Sequence, residues 1–195
     1  MALGMAMFFI TTALMGLTVT ETVTETVTET VTVATTSACS SNLLVDDFSL
    51  FSARRNSVGM KAGDDGTMDV MSAEDGTLSF VPAKTSYFFE ETPCIDAVAD
   101  GYSAVSFTLK APLGSSFALE LQTRDNCATE GYKSTWHYME GFTGQSETHV
   151  VPLSDFAGAN TYAISAFAWA TWDFYTEKDF IWQLSDVELI CANPT

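Results

Sequence analysis

Short runs of strand-like composition follow one another from Ser40 to Cys191, and clusters of turn residues separate them. Apolar and polar residues alternate along Ser106–Ala111 and again along Ser116–Thr123, a two-residue period that buries one face of a strand. No long segment has the 3.6-residue period of an amphipathic helix. The pattern predicts an all-β domain of about ten antiparallel strands, packed as two sheets in a β-sandwich or jelly roll.

The predicted strands lie near Leu43–Leu50, Thr67–Ser72, Thr77–Pro82, Ser86–Glu91, Ala104–Lys110, Ser116–Thr123, Lys133–Met139, Glu147–Leu153, Ile164–Trp172 and Phe180–Ile190. The breaks between them contain Asp64–Gly66, Glu74–Gly76, Asp100–Gly101 and Pro112–Gly114. Such Gly and Pro clusters interrupt strands because they favour turn conformations.

The segments outside this domain have other compositions. Residues 1–17 are apolar and uncharged, which is typical of a signal peptide, although they also fit an uncleaved anchor or a misassigned start. Residues 18–39 are rich in Thr and repeat Val-Thr-Glu-Thr, which indicates an extended spacer or a repeat without a role. The domain is assigned to residues 40–191, and residues 192–195 form a short tail. We therefore expect a secreted protein, extracellular or in a cell wall.

The chain has four cysteines, and none stands in the Cys-x-x-Cys spacing of a zinc site. An even number of cysteines behind a signal peptide predicts disulfides, with free buried thiols as the alternative. Of the possible pairings we favour Cys39 with Cys191, which ties the ends of the domain together. The other pair is then Cys94 with Cys127, which joins two loops.

The net charge of −17 comes from 25 acidic and 8 basic residues. This balance argues against nucleic acid as a partner and against docking on an anionic membrane. The two histidines have no metal-binding spacing, and no Gly-x-Ser-x-Gly elbow presents a nucleophile. Many carboxylates are present, but none forms a recognisable hydrolase pair. We expect no enzyme activity, and a small glycoside hydrolase ranks third among the functions considered.

Five motifs occur in the order LLVDDFS (Leu43–Ser49), YFFEE (Tyr87–Glu91), GYSAVSFTLKAPLGSSFALELQT (Gly101–Thr123), VPLSDFAGAN (Val151–Asn160) and WQLSDVELIC (Trp182–Cys191). This order resembles secreted fungal domains of the galactose-binding-like jelly-roll type. It is similar, more distantly, to the complex I intermediate-associated protein family and to β-glucan-binding carbohydrate-binding modules. The resemblance implies carbohydrate binding. It also implies a structural calcium between the first and last strands, held by Asp46 or Asp47 with Asp186.

Aromatic side chains are the candidate ligand-binding groups, because a flat ring covers the apolar face of a pyranose. Trp136 and Tyr138 are two residues apart and therefore share one face of a strand. Further candidates are Trp169, Trp172, Asp173 and Tyr175, of which the last three are expected on a loop. The sequence thus predicts a secreted noncatalytic module for a cell-wall polysaccharide such as β-glucan. The alternative is a structural or interaction protein of the cell surface, and the oligomeric state is not predicted.

Overall fold

The computed structural model describes residues 39–173 and 177–192, which belong to one compact unit, Thr35–Thr195. The segments interpreted as signal peptide and Thr-rich spacer, residue Tyr175 and residues 193–195 lie outside the described residues. The domain is all-β, with two antiparallel sheets arranged as a jelly-roll β-sandwich, as the sequence predicts. Among the described residues, no helix is long and apolar enough to cross a membrane.

The described residues form eleven strands: β1 Leu43–Asp46, β2 Ala62–Asp64, β3 Asp69–Glu74, β4 Thr77–Val81, β5 Tyr87–Ile95, β6 Tyr102–Lys110, β7 Ser116–Thr123, β8 Lys133–Glu140, β9 Ser146–Pro152, β10 Ile164–Asp173 and β11 Trp182–Cys191. One short helix, α1 Ala97–Asp100, and two single 3-10 turns, Phe51–Ala53 and Leu153–Asp155, lie between strands.

The strands form two sheets. The front sheet has five strands in the order β2-β5-β10-β7-β8. The back sheet has six strands, in the order β3-β4-β11-β6-β9, and β1 also pairs with β11. Every pairing between named strands is antiparallel, so β10 lies at the centre of the front sheet with β5 on one side and β7 on the other.

The core lies between the sheets and is built largely from aromatic rings. Phe107 of β6 meets Trp169 of β10 edge to face, with 5.7 Å between ring centroids. Trp172 at the end of β10 packs in the same way on Trp182 of β11, at 4.9 Å. All four side chains are buried, so these contacts hold the inner face of the front sheet against the back sheet.

Besides shifts of up to four residues at other strand ends, the structure differs from the predicted strands in three places. The first strand ends at Asp46, because Phe48 adopts a φ of 58° and turns the chain. Strand β2 was not predicted, since its Gly63 and the Asp-Asp-Gly that follows are typical of a turn. Asp173 is expected on a loop, but β10 continues to it, one residue past the predicted end of that strand.

Disulfides join Cys39 to Cys191 and Cys94 to Cys127, with Cα–Cα distances of 5.6 and 5.4 Å. This is the pairing favoured from the sequence. The first bond fastens the segment before β1 to the end of β11, and the second fastens β5 to the loop between β7 and β8. Cys191 is the last residue of β11 and Cys94 the last but one of β5, so both bonds lie at strand ends.

Candidate functional site

The outer face of the front sheet carries a strip of small side chains along its central strand. In β10 the core-facing residues are Phe167 and Trp169, so alternation turns Ala166, Ala168 and Ala170 to the outside. Each of the three alanines is nevertheless at most 8% exposed. Their burial on an outward face shows that larger neighbouring side chains stand around them.

Those neighbours include aromatic rings on both sides of the strip. On β5, Phe89 lies opposite Ala168. On the other side, Ala168 pairs with Glu120 of β7, which in turn pairs with Trp136 of β8. One row across the sheet therefore has an aromatic ring at each end and small or polar groups between them.

The next row repeats this arrangement. Tyr87 of β5 lies opposite Ala170, Ala170 opposite Ala118 of β7, and Ala118 opposite Tyr138 of β8. The exposed fractions are 41% for Tyr87, 42% for Trp136 and 72% for Tyr138. Three interstrand spacings separate β5 from β8, or about 14 Å. We call this surface the trough; it comprises Tyr87, Phe89, Ala118, Glu120, Gln122, Trp136, Tyr138, Ala166, Ala168 and Ala170.

The floor of the trough also carries hydrogen-bonding groups. Glu120 is 7% exposed, and its Oε1 accepts a hydrogen bond of 3.1 Å from Nε2 of Gln122. At the β5 side, Nζ of Lys61 lies 5.0 Å from the ring centroid of Phe89. Flat rings beside a few fixed polar groups are the combination that binds a sugar, because its faces are apolar and its rim is hydroxylated.

The outer face of the back sheet is different. Its central row, Ser185–Thr108–Thr148, is hydroxylated, and Oγ1 of Thr108 lies 2.9 Å from Oγ1 of Thr148 in the neighbouring strand, while the rows on either side mix serine with charged, amide or apolar side chains. Five aromatic side chains among the described residues are exposed, and none lies on a strand of the back sheet. The three that belong to strands are all in the trough, whereas Tyr132 and Tyr162 lie on loops.

Two of the predicted binding residues, Trp136 and Tyr138, lie in the trough. Trp169 and Trp172 do not, which corrects the prediction: they are 0% and 1% exposed and belong to the core. Trp172 is turned inward by a β-bulge at Thr171, whose φ is 58°, and this bulge breaks the alternation that would have placed it outside. Nε1 of Trp172 donates a hydrogen bond of 2.9 Å to the carbonyl of Ser86.

Asp173 is exposed at the end of β10, where it pairs with Ser116. It therefore lies one row beyond the trough, and the predicted Tyr175 is outside the described residues.

Sequence reasoning missed most of the trough. Tyr87 and Phe89 were assigned to a strand without a role, and the alanines of β10 were not considered. A usable pattern was present: in Ala166–Ala170, Ala alternates with Phe and Trp. In a central strand, large residues on one side and only alanine on the other indicate a packed inner face and an open outer face.

Asp46 of β1 pairs with Val187 of β11, so the residues predicted to bind calcium lie at neighbouring positions of paired strands, but their side chains differ in burial and in hydrogen-bond partners. Asp46 is buried, whereas Asp186 is exposed and accepts a hydrogen bond of 2.9 Å from Oγ of Ser185. Asp47 accepts a hydrogen bond of 2.8 Å from Oγ of Ser57. Among residues 39–173 and 177–192, no group of three or more His, Cys, Asp or Glu side chains is arranged to hold a metal ion.

A pair of buried acids remains to be explained. Glu90 of β5 faces inward and is fully buried, as is Asp46 of β1. Burial raises the pKa of both carboxyl groups, that of Glu90 well above its usual value, and the proximity of Asp46 adds to this effect. Asp46 Oδ2 and Glu90 Oε1 receive no hydrogen bond from the described residues. A shared proton or a bound cation satisfies such a pair, and its enclosure in the core does not suit hydrolysis of a polymer.

No family model matches the chain, and no curated protein matches it. Solved structures with the same fold do exist. A family 11 carbohydrate-binding module from Clostridium thermocellum, in complex with a β-1,3-1,4-mixed-linked tetrasaccharide, superimposes with a TM-score of 0.51 at 14% identity, covering 81% of this chain and 100% of that one. A family 30 carbohydrate-binding module gives a TM-score of 0.50 at 11% identity, covering 77% of this chain and 98% of that one. At these identities the likeness shows the fold alone.

Proposed function

We propose that this protein is a noncatalytic module that binds a polysaccharide of the β-glucan class through the trough. The observation that carries the proposal is the contrast between the two outer faces. The front sheet presents aromatic rings around a floor of small and polar groups, whereas no exposed aromatic ring among the described residues lies on a strand of the back sheet. A buried row of outward-facing alanines has no role in packing the two sheets together, but it leaves room for a ligand above it.

The spacing of the trough favours a chain over a single sugar. Aromatic groups stand at both ends of a row about 14 Å across, which is wider than one pyranose ring. Rings at the two ends can each stack on a different sugar of one chain, while Glu120 and Gln122 bond hydroxyls between them. A solved module of the same fold was crystallised with a mixed-linked β-glucan tetrasaccharide, which supports this choice of ligand class.

The disulfides and the fold support action outside the cell, in the medium or bound to a cell wall. The alternative is a cell-surface protein without affinity for saccharides, which predicts a trough that binds no glycan.

We also propose one calcium site, between the buried carboxylates of Asp46 and Glu90. Asp46 with Glu90 is the better candidate pair, because its unpartnered carboxylate oxygens suit Ca²⁺ and two buried acids need a counter-charge. The ion would fasten β1 to β5 and would not touch the trough. A change in unfolding temperature on adding calcium to chelator-treated protein tests this, and Glu90→Gln should abolish it.

The experiment for the main proposal is retention on insoluble β-glucan, cellulose and chitin, with and without a chelator. Two variants are compared with the unchanged protein: Trp136→Ala in the trough and Val150→Ala on the back sheet. Both side chains are exposed, at 42% and 58%, so either loss is expected to leave the fold intact.

Retention of the protein and of Val150→Ala on one polymer, together with loss of Trp136→Ala, is the expected result. If the folded protein passes through all three polymers, the glycan proposal is wrong and a protein partner becomes the leading hypothesis.

A further inference from the structure

The polar groups in and around the trough are mainly acidic. Glu120 lies in the floor, Glu91 faces outward beside Ala166, and Glu140 and Asp173 both pair with Ser116 in the row beyond. The bases nearby are Lys61, over Phe89, and Arg124, just past the end of β7, while Lys84 and Lys178 line one cavity with Asp173. At the trough itself the acids Glu120 and Glu91 outnumber the one base, Lys61.

The carboxylate of Glu120 is the member of this group that lies deepest in the trough. It is 7% exposed, and it forms no ion pair with a described residue. Gln122 donates a hydrogen bond to Oε1 of Glu120, and no described residue donates one to Oε2 of Glu120. Lys61 lies beyond β5, so β5 and β10 separate it from Glu120. A buried, unneutralised acceptor among aromatic rings suits hydroxyl donors and repels a second carboxylate.

Resting on the proposed function, we infer that the trough selects neutral glycans against acidic ones, and that Glu120 is the residue that sets this selectivity. A neutral hexopyranose supplies hydroxyl groups that donate to the free oxygen of Glu120. A uronic acid or a carboxymethylated sugar brings a second negative charge close to the carboxylate of Glu120, and at low ionic strength the two charges repel each other. The selectivity therefore arises from repulsion of the wrong ligand as well as from attraction of the right one.

The test uses one polymer in three forms: mixed-linked β-glucan, the same polymer after partial carboxymethylation, and the same polymer hydroxyethylated to an equal degree. The hydroxyethylated form controls for the added bulk. Dissociation constants come from affinity electrophoresis in native gels, at low and at high salt. We expect the carboxymethylated form to bind at least about tenfold more weakly than the hydroxyethylated form at low salt. The selectivity ratio, which is the dissociation constant of the carboxymethylated form divided by that of the hydroxyethylated form, should shrink as salt screens the repulsion.

Three variants locate the effect. Glu120→Gln keeps the shape and an acceptor for Gln122 but removes the charge, so the ratio should fall at least about threefold. Glu91→Gln, at the edge of the trough, should reduce the ratio by a smaller factor. This variant replaces Glu120→Gln in the test if Glu120→Gln does not fold. Glu74→Gln removes the same charge from β3 of the back sheet and should leave the ratio unchanged.

The outcomes separate this inference from the function on which it rests. If the folded protein binds none of the three forms, the proposed function and the inference are both wrong. Equal affinity for the two modified forms, or a ratio that a folded Glu120→Gln leaves as in the unchanged protein, overturns the inference while the glycan site stands; if Glu120→Gln does not fold, an unchanged ratio in Glu91→Gln overturns it. An equal fall of the ratio in Glu74→Gln would assign the effect to the overall charge of −17 and also overturn it.

Discussion

Replacing Tyr138 by Ala should remove a large part of the ligand-contacting surface without harming the fold. The side chain is 72% exposed and lies at the β8 end of a trough row, opposite Ala118. An aromatic side chain offers roughly 200 Å², so about 140 Å² of Tyr138 is open to solvent. One sugar face covers about half of that. At about 25 cal/mol per Å² the lost contact is worth about 1.8 kcal/mol, or about twentyfold in Kd.

Isothermal titration calorimetry with a mixed-linked β-glucan oligosaccharide measures the change, and thermal unfolding shows that the variant is folded. Tyr162→Ala is the matched control, because Tyr162 is 60% exposed but lies on the loop before β10. We expect it to bind as the unchanged protein does. A Tyr138→Ala variant that is folded and binds within a factor of two of the control would refute the assignment of this ring to the site.

Three other predictions concern the floor of the trough, the second disulfide and the buried acids. Ala168→Leu should raise the floor and weaken oligosaccharide binding at least about tenfold in calorimetry; because Ala168 is 1% exposed, the larger side chain should also cost about 1 to 3 kcal/mol of unfolding free energy, so thermal unfolding must show that the variant is folded. Unaltered binding in the folded variant would show that the ligand does not reach the floor. Replacing both Cys94 and Cys127 by Ser opens a loop of 33 residues, which should cost about 3 to 4 kcal/mol of unfolding free energy in denaturant titrations; no loss of stability would argue against the bond. Because burial raises the pKa of Asp46 and Glu90, their contribution to stability is present in acid and is lost as pH rises through their folded pKa values. In the presence of chelator, the unfolding free energy should therefore fall as the solution is made less acidic, and Glu90→Gln should flatten this dependence; a slope unchanged in Glu90→Gln would be inconsistent with a buried pair.

Most of the fold could be predicted from the sequence, because strand alternation and turn residues are local signals. The hairpin between β3 and β4 illustrates this. Asp75 and Gly76 take φ values of 47° and 75°, which suit a tight two-residue turn between antiparallel strands. The Glu-Asp-Gly sequence predicts that turn without any knowledge of the rest of the chain.

The candidate site was only partly predictable, because its residues come together through strand order. Trp136 and Tyr138 share a face by simple alternation within β8. Strand pairing, which no local pattern specifies, brings β5 and β10 into the same sheet as β8. The same pairing places Ala168 between Phe89 and Glu120. The prediction that Trp172 binds the ligand was wrong for a related reason: a single bulge reverses which side of the strand a residue faces.

The most direct test of the account is to locate the glycan by NMR. The ¹⁵N-labelled protein is titrated with a mixed-linked β-glucan oligosaccharide, and amide shift changes are mapped on the two sheets. The account predicts changes concentrated at Ala118, Glu120, Trp136, Tyr138 and Ala168 of the front sheet, with the rows around Thr108 of the back sheet unchanged. Saturable shifts confined to the back sheet or the loops would contradict it, as would the absence of any shift in the folded protein.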